Sequence, residues 1–395
     1  MRMTSNCIVL VFVTLLGTLP ASLFGEESKP QASLNVEHRI AAIESGRFHG
    51  WPANNGVWQW GNDILVGYTQ GDFEVKDGHN ISGRQDSLLS FSDDGGETWE
   101  MIDPENFLDD ENKLFLGKGK TKLTEPIDFT HPGFALRIFA TGYHGNDDPT
   151  GGFFYSYDKG RTWNGPYEFT GLVEHSELKG NQLNPRTDYL VQNGNHVLIV
   201  ISAREGSRGK ARMGVIESTD GGLTFDFVAW ITPEDPDFNA IMSQTVQLSD
   251  KEFVFSYRKI YRDSDKLSTV ETYKSTDGCQ TWNVLSTVKV MPTHSNPPAL
   301  VALQDGRLCC IYGDRQVGEI RGRYSSDQGE TWGPEFIIRD DFMALESDPD
   351  SQGRINTDCG YPRMVQRPDG KLVAMYYWAT AEHPEQHIAV SIWTP

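Results

Sequence analysis

One eight-residue pattern occurs five times in this chain of 395 residues. It reads Ser-x-Asp-x-Gly-x-Thr followed by Trp or Phe, with Cys279 at the Gly position of the fourth copy. Its Asp residues stand at positions 94, 158, 220, 277 and 327, which are 64, 62, 57 and 50 residues apart. Five copies in register at this spacing predict a repeated four-stranded unit with loops, which is a β-propeller blade.

The residue types of the pattern are those of a tight turn between two strands. Asp and Ser side chains hydrogen-bond the turn backbone, Gly supplies a positive φ, and the aromatic residue packs between neighbouring sheets. The pattern therefore stabilises a hairpin and carries no chemistry.

The sequence around each copy reads as strand, turn, strand, loop, strand, copy, strand. A sixth unit starts at Tyr361 and ends at the apolar run His387–Trp393, without a sixth copy and without its outermost strand. An unpaired edge would remain there, and the segment Val36–Ile43 is the natural strand to fill it. The sequence thus predicts an all-β fold over residues 36–395, a six-bladed β-propeller of four-stranded antiparallel blades, closed by an N-terminal strand.

The first 25 residues are typical of a secretory signal peptide. Arg2 precedes the apolar stretch Ile8–Leu19, which is too short to span a bilayer, and small residues follow. Residues 26–35 then form a short linker. We expect a secreted or periplasmic protein, with no membrane insertion because no later stretch is apolar and long enough.

The composition restricts the kinds of ligand and partner that we expect this protein to bind. The formal net charge of −20 and the lack of any run rich in Lys and Arg argue against binding of nucleic acid. No Cys or His spacing resembles a metal site, so we expect no metal and no cofactor. Beyond Cys7 in the signal segment, four cysteines remain, which we expect to be buried thiols or to form one incidental disulfide.

The five copies resemble Asp boxes, and the chain resembles the sialidase (neuraminidase) superfamily, in particular bacterial sialidase-like proteins with Asp-box, or BNR, repeats. That resemblance implies an active site at one end of the central channel. It also implies three arginines that bind a substrate carboxylate, a Tyr nucleophile with a Glu partner, and an Asp acid/base on a first-blade loop.

Several residues match those positions. Met242–Arg258 resembles the fourth-blade segment that ends in a carboxylate-binding arginine, and Arg315 is the arginine of a Tyr-Gly-x-Arg stretch in blade five. Tyr361 resembles the nucleophile at the start of the sixth innermost strand. Arg363, two residues on, shares its face of the strand and is a further candidate for substrate binding.

Two positions depart from the family pattern. The segment Phe48–Gly56 stands where the family has Arg-Ile-Pro, so the first arginine is missing there. Arg186 at a blade-three strand, or Arg84 on the first-blade loop, could bind the carboxylate instead. Met242 stands where the family has its Glu, so the sequence gives Tyr361 no activating carboxylate.

Candidates for proton transfer lie on the first-blade loop, where sialidases carry their acid/base. Asp77 and His79 both lie there, and Asp77 is the closer analogue. His131 and His294 open blades two and five, and we expect them near the same channel mouth, where they could contact substrate.

Three functions remain open. The leading hypothesis is an exo-acting glycoside hydrolase of the exo-α-sialidase type, which cleaves a terminal carboxylated sugar from a glycan with retention. The first alternative is a lyase on uronate polymers, in which a His/Tyr pair removes the C5 proton. The second alternative is a propeller that binds glycans without turnover.

Overall fold

The computed structural model describes residues 34–76, 78–104, 107, 119–140, 150–205, 210–235, 237–261, 266–291, 296–343 and 357–395. Six antiparallel sheets follow one another along the chain, and each provides one blade of a ring. The predicted six-bladed β-propeller is therefore confirmed.

The first three blades comprise the strands from β2 to β14 and one short helix. Blade one contains β2 (Arg47–Gly50), helix α1 (Pro52–Asn55), β3 (Val57–Trp60), β4 (Asp63–Phe73), β5 (Ile81–Ser92) and β6 (Glu100–Ile102). Blade two contains β7 (Ala135–Phe139), β8 (Gly152–Ser156) and β9 (Asn164–Tyr167). Blade three follows a 3₁₀ turn (Leu172–Glu174) and contains β10 (Asn181–Leu183), β11 (Tyr189–Asn193), β12 (His196–Glu205), β13 (Arg212–Ser218) and β14 (Asp226–Trp230).

The last three blades each have four strands. Blade four contains β15 (Phe238–Gln247), β16 (Phe253–Tyr261), β17 (Ser268–Ser275) and β18 (Asn283–Met291). Blade five contains β19 (Ala299–Ala302), β20 (Leu308–Asp314), β21 (Glu319–Ser325) and β22 (Phe336–Arg339). Blade six contains β23 (Gly360–Gln366), β24 (Leu372–Trp378), β25 (His387–Trp393) and, at its outer edge, β1 (Val36–Ala42).

The ring closes as the sequence predicts. β1 pairs antiparallel with β25, with Val36 opposite Trp393 and Ile40 opposite Ala389. The outer edge of β25 is thereby covered, and the first and last strands of the described chain lie in one sheet.

Two blades differ from the simple four-strand plan. In blades one and three the innermost position is shared by two short strands, β2 with β3 and β10 with β11, which pair with β4 and β12 respectively. In blade one, α1 separates the two strands. Blade two has three strands within the described residues, and residues 122–134 just ahead of β7 form turns, bends and irregular chain.

The repeated turns have the predicted hydrogen bonds. In the first copy, the Ser92 hydroxyl donates to Asp94 (2.8 Å) and accepts from the Gly96 N–H, while the Thr98 hydroxyl donates to Asp94 (2.6 Å). Trp99 packs against the core cluster of blades one and six. In the fourth copy Cys279 adopts φ 69°, the conformation that Gly takes elsewhere.

The cores lie between neighbouring blades. Val254 and Val270 of blade four pack against Leu300, Leu308 and Cys310 of blade five, and similar clusters join the other described blades. Cys279, Cys309, Cys310 and Cys359 are all buried free thiols. Within the described part of the chain, no helix has the length and apolar character needed to cross a membrane.

Candidate active site at the channel mouth

Strand direction defines the two ends of the channel. Each Asp box follows the third strand of its blade, so the innermost strands of the antiparallel blades end at the box end and begin at the opposite end. We call this opposite end the mouth. Tyr361, at the start of β23, lies there.

Five side chains from blades one, four, five and six meet at the mouth. We call them the Tyr361 cluster: Tyr361, Arg258, Arg315, His79 and Asp358. The Arg258 guanidinium donates to the Tyr361 hydroxyl oxygen (3.3 Å), and the Arg258 and Arg315 Cζ atoms both lie 5.5 Å from the Tyr361 ring centroid. The His79 ring lies edge-on to that ring at 6.1 Å. The phenol is thus flanked by two cations and an imidazole.

Asp358 holds the cluster together. Its fully buried carboxylate accepts hydrogen bonds from the Tyr377 hydroxyl (2.6 Å) and the Arg315 guanidinium (3.1 Å), and lies 2.7 Å from His79 Nδ1. The Asn80 backbone N–H donates to its second oxygen (3.0 Å). One carboxylate therefore fixes the first-blade loop, the end of blade five and the segment before β23 relative to each other.

The charges shift the pKa values of the acidic members. Burial disfavours the Tyr361 phenolate, but Arg258 and Arg315 outweigh that effect and lower the pKa of Tyr361. Burial also opposes ionisation of Asp358, yet His79, Arg315 and the hydrogen bond from Tyr377 lower its pKa. Burial, with the nearby Asp358 carboxylate, raises the pKa of Tyr377 well above its usual value. The two tyrosines therefore differ, since the surroundings favour the ionised form of Tyr361 and disfavour that of Tyr377.

Left-handed backbone places three residues at the mouth. Trp51, Met242 and Tyr361 have φ values of 64°, 57° and 51°, a conformation that is uncommon outside Gly. All three contribute to one core cluster, and at Met242 and Tyr361 the strand register shifts. Asn296 accepts the Tyr361 N–H (2.8 Å), and a Cβ on Gly360 would lie 2.4 Å from that Asn oxygen. A side chain at position 360 would therefore clash with Asn296, so the start of β23 requires Gly360.

A second set of cations, from blades two, three and six, lies beside helix α1. We call Arg137, Arg186 and Arg363 the Arg137 group. Arg363 is buried and donates to the Ala53 (2.7 Å) and Ser243 (2.9 Å) carbonyls, so it bridges α1 and β15 inside the channel. Its position is deeper than that of Tyr361, and substrate binding by Arg363 stays a prediction.

Arg186 is half-buried beside α1, with its Nε donating to Asn54 Oδ1 (3.3 Å) and its Nη1 to the Pro185 carbonyl (2.9 Å). Arg84 is exposed on β5 and forms an ion pair with Asp86 (2.8 Å). The structure thus holds Arg186 within the channel wall and Arg84 on the outside of its strand.

The prediction that His131 lies near the mouth is wrong. Its ring stacks on Tyr157 of the second Asp box, with centroids 4.4 Å apart, and the neighbouring Gly133 carbonyl accepts from Lys159 of the same box. The turns ahead of β7 place it at the box end of the channel. Asp77 and His294 lie outside the described residues.

The sequence interpretation missed Asp358 and Tyr377. Asp358 stands three residues before Tyr361 in Asp-Cys-Gly-Tyr-Pro-Arg, and this proximity was the available signal. Its role became visible only through the loop of blade one, which is remote in sequence. Among the residues that the structure describes, no group of His, Cys, Asp and Glu side chains could hold a metal ion.

This fold and the family match define the class of protein. The six-bladed ring with Asp boxes is that of the sialidase-like superfamily. The chain belongs to the BNR repeat-like family, whose domain model matches residues 88–374. No curated protein matches the sequence.

Solved structures share the fold at low sequence identity. A Dyadobacter fermentans protein of unknown function has a TM-score of 0.64 and 19% identity, with 90% of this chain and 98% of that chain covered. A Penicillium chrysogenum α-L-arabinanase complexed with arabinobiose has a TM-score of 0.53 and 15% identity over 88% and 96%. A Trypanosoma rangeli sialidase mutant with trans-sialidase activity has a TM-score of 0.55 and 11% identity over 92% and 60%.

Proposed function

We propose that the protein is an exo-acting glycoside hydrolase that removes a carboxylated terminal sugar from a glycan, with Tyr361 as the nucleophile. The observation that carries this proposal is the phenol of Tyr361 between two guanidinium groups, with one of them hydrogen-bonded to its oxygen. The similar folds of a sialidase and an arabinanase support a glycosidase in general. The signal-like residues 1–25 favour action outside the cytoplasm.

The two arginines take over work that a carboxylate performs in the family pattern. Met242 occupies the position of the missing Glu and is buried in an apolar cluster, so it cannot accept a proton. Arg258 and Arg315 instead stabilise the phenolate directly, because a cation nearby favours the charged form. The same guanidinium groups match a sugar carboxylate, which would bring the substrate to the nucleophile.

His79 is the described candidate for proton transfer. Asp358 fixes its Nδ1, so its other ring nitrogen can face the substrate and exchange a proton with it. Tyr361 first loses its phenol proton to solvent. In the first step its phenolate oxygen bonds to the anomeric carbon while the glycosidic C–O bond breaks and the leaving oxygen takes a proton from His79. In the second step His79 takes a proton from water, whose oxygen displaces Tyr361, and the anomeric configuration is retained.

A second candidate is a lyase on uronate polymers, and the His79–Asp358 pair beside Tyr361 favours it. In that reaction Arg258 and Arg315 would neutralise the uronate carboxylate. A base from the His79 and Tyr361 pair would take the C5 proton as the C4–O bond breaks, and the partner acid would protonate the leaving oxygen. The product would be an unsaturated uronate.

The experiment compares wild type with Tyr361→Phe on a 4-methylumbelliferyl sialic acid substrate and on polyuronates monitored by ultraviolet absorbance. Loss of the nucleophile should reduce kcat by about 10³-fold or more, while the carboxylated sugar still binds. Tyr312→Phe is the matched control, because Tyr312 is a buried tyrosine whose hydroxyl donates to Glu335 in blade five.

Fluorophore release that depends on Tyr361 supports the hydrolase, and formation of an unsaturated product supports the lyase. Equal activity of wild type and Tyr361→Phe on either substrate would contradict both mechanisms. Binding of the sugar without any turnover would indicate a glycan-binding propeller.

A further inference from the structure

We propose that Trp51 is a positioning residue for proton transfer at the mouth, and that its indole ring holds the imidazole of His79 in place beside Tyr361. This inference rests on the proposed function, in which His79 exchanges a proton with the glycosidic oxygen. It adds the residue that determines whether the imidazole is correctly oriented for that transfer.

His79 has few polar contacts that could orient its ring. Its side chain is 35% exposed, and within the described residues its one side-chain hydrogen bond joins Nδ1 to Asp358 (2.7 Å). A single hydrogen bond restrains one atom of the ring and leaves the rest of the ring to its packing contacts. General acid–base catalysis depends on geometry, because the acid must lie within hydrogen-bond reach of the leaving oxygen. The packing contacts of His79 therefore matter for the reaction.

Two aromatic rings supply these packing contacts. The centroid of the Trp51 indole lies 4.9 Å from that of the His79 imidazole, with 77° between the ring planes. The Tyr361 ring lies 6.1 Å from the imidazole at 81°. Both contacts are edge-to-face, which is a favourable arrangement for aromatic pairs. Trp51 is the nearer of the two rings, so it provides the closer support for the imidazole.

The backbone conformation of Trp51 is unfavourable for an aromatic residue. Its φ of 64° and ψ of 52° are left-handed, immediately before Pro52 begins α1. Gly adopts this conformation without strain, whereas a bulky side chain rarely does. The turn into α1 would therefore be more stable with Gly at position 51. Strain of this kind is typical of functional sites, where the side chain is needed for another purpose.

The surroundings of Trp51 fix its position. Its carbonyl accepts hydrogen bonds from the Asn54 N–H and from Asn55 Nδ2, both at 3.0 Å, and its ring centroid lies 5.2 Å from that of Phe48. The indole Nε1 is buried and has no acceptor among the described residues, which is unfavourable for a donor. Hydrogen bonding of the indole therefore does not explain this position. The ring contacts with Phe48 and His79 are what the position provides.

This role predicts a dependence on the leaving group of the substrate. A sugar alcohol is a poor leaving group and needs the proton from His79, whereas 4-methylumbelliferone is an acidic phenol that leaves with little assistance. A misoriented His79 should therefore slow the hydrolysis of sialyllactose much more than that of 4-methylumbelliferyl sialic acid. The value of kcat/KM measures this, because it excludes the second step that both substrates share. General damage to the fold would slow both substrates equally.

Trp51→Leu should lower kcat/KM about tenfold on sialyllactose, because one aromatic contact is worth up to about that factor. The loss on the 4-methylumbelliferyl substrate should stay within about twofold. Trp51→Phe keeps a ring beside His79 and should restore most of the activity on sialyllactose. His79→Gln should show the same selectivity with a loss of about 100-fold or more. Adding Trp51→Leu to His79→Gln should then cause no further loss on sialyllactose.

Trp60→Leu is the matched control, because Trp60 is a half-buried tryptophan of the same blade at the box end of β3. It should change neither kcat/KM value, and thermal unfolding checks that the variants are folded. If Trp51→Leu does not fold, Trp51→Gly provides the same comparison, because Gly takes the left-handed backbone without strain.

Crystal structures of wild type and Trp51→Leu give a second readout that needs no turnover. In wild type the His79 side chain should occupy one rotamer, with its Nδ1 beside Asp358. In Trp51→Leu it should occupy more than one rotamer, because the closer of its two ring contacts is lost.

The inference is overturned if Trp51→Leu slows both substrates equally, if its loss adds to that of His79→Gln, or if both crystal structures show the same single His79 rotamer. Equal slowing together with hydrolysis that depends on Tyr361 would leave the proposed function intact and remove only the role of Trp51. No hydrolysis of either substrate by wild type would contradict the proposed function for sialic acid. The crystal structures would then still decide whether Trp51 orients His79.

Discussion

The Tyr361 cluster and the Arg137 group use the same side chain, arginine, with different counter-charges. Arg315 in the Tyr361 cluster contacts a buried carboxylate, Asp358, which is ionised because cations and hydrogen-bond donors surround it. In the Arg137 group, Asp188 accepts from Ser243 (2.5 Å) and Thr245 (3.0 Å), and burial raises its pKa. The two buried carboxylates therefore differ in their surroundings, since charged groups and donors favour ionisation of Asp358 whereas burial outweighs the hydrogen bonds to Asp188.

The largest effect we expect separates the two buried carboxylates. Asp358→Ala would leave the largely buried Arg315 guanidinium without its counter-charge and the half-buried His79 without its carboxylate partner, so the free energy of unfolding should fall by about 3–5 kcal/mol. Asp188→Ala removes hydrogen bonds to neutral groups and should cost about 1–3 kcal/mol. Urea unfolding of both variants measures this difference. Equal losses of stability would mean that Asp188 is as strongly paired as Asp358. The proposed difference between the two buried carboxylates would then be wrong.

A smaller effect is expected from the arginines themselves. Arg315→Met removes the guanidinium partner of the buried Asp358 carboxylate, which keeps only His79, Tyr377 and the Asn80 N–H, and should cost about 3–5 kcal/mol. Arg137→Met leaves only neutral acceptors without a donor and should cost about 1–3 kcal/mol. The two substitutions are matched in shape, and Arg137 is the more buried of the two side chains. If Arg137→Met were the more damaging of the two in urea unfolding, an undetected anion would have to compensate Arg137.

The smallest effect concerns pH, and its sign differs between the two sites. The folded-state pKa of Asp358 is lowered, so its contribution to stability is present above the unfolded value of about 3.9 and is lost as the pH falls through the folded value. The folded-state pKa of Asp188 is raised, so its contribution is complete below about 3.9 and is lost as the pH rises through the folded value.

Unfolding free energies between pH values of about 3 and 7 distinguish these signs. The deficit of Asp358→Asn relative to wild type should shrink on acidification, while Asp188→Asn should gain on wild type as the pH rises above about 4. Parallel curves for the two variants would contradict the opposite shifts. A curve for Asp188→Asn that falls further behind wild type with rising pH would assign Asp188 an ionised, paired role.

The β-propeller could be predicted from the sequence because the Asp boxes that mark its blades are short segments with local hydrogen bonds. The Asp-box residues hydrogen-bond within five positions of one another, so the turn chemistry of Ser92–Thr98 is readable without any tertiary information. The closing strand was also predictable, since an incomplete last blade and a spare first strand leave one solution. The irregular turns of blade two could not be predicted from the sequence. They place His131 at the box end of the channel rather than at the mouth.

The site was only partly predictable. Tyr361, Arg258 and Arg315 follow from their equivalent positions at the ends of strands, and the structure brings them together. Asp358 depends on a loop that is 278 residues away from it in sequence, where the Asn80 N–H binds its carboxylate. Such a contact has no periodic or motif signature, because it arises from the closure of the ring.

That closure also sets the order in which the protein can be made. His38 on β1 contacts Ser391 on β25 across 353 positions of sequence, so blade six stays incomplete until β25 has been synthesised. Contacts of such long range slow folding, and an unfinished blade exposes a strand edge meanwhile. In a circular permutant, a linker would join β25 to β1 and the new chain ends would lie between two whole blades. The pairing of β1 with β25 would then be a hairpin between strands that are adjacent in sequence.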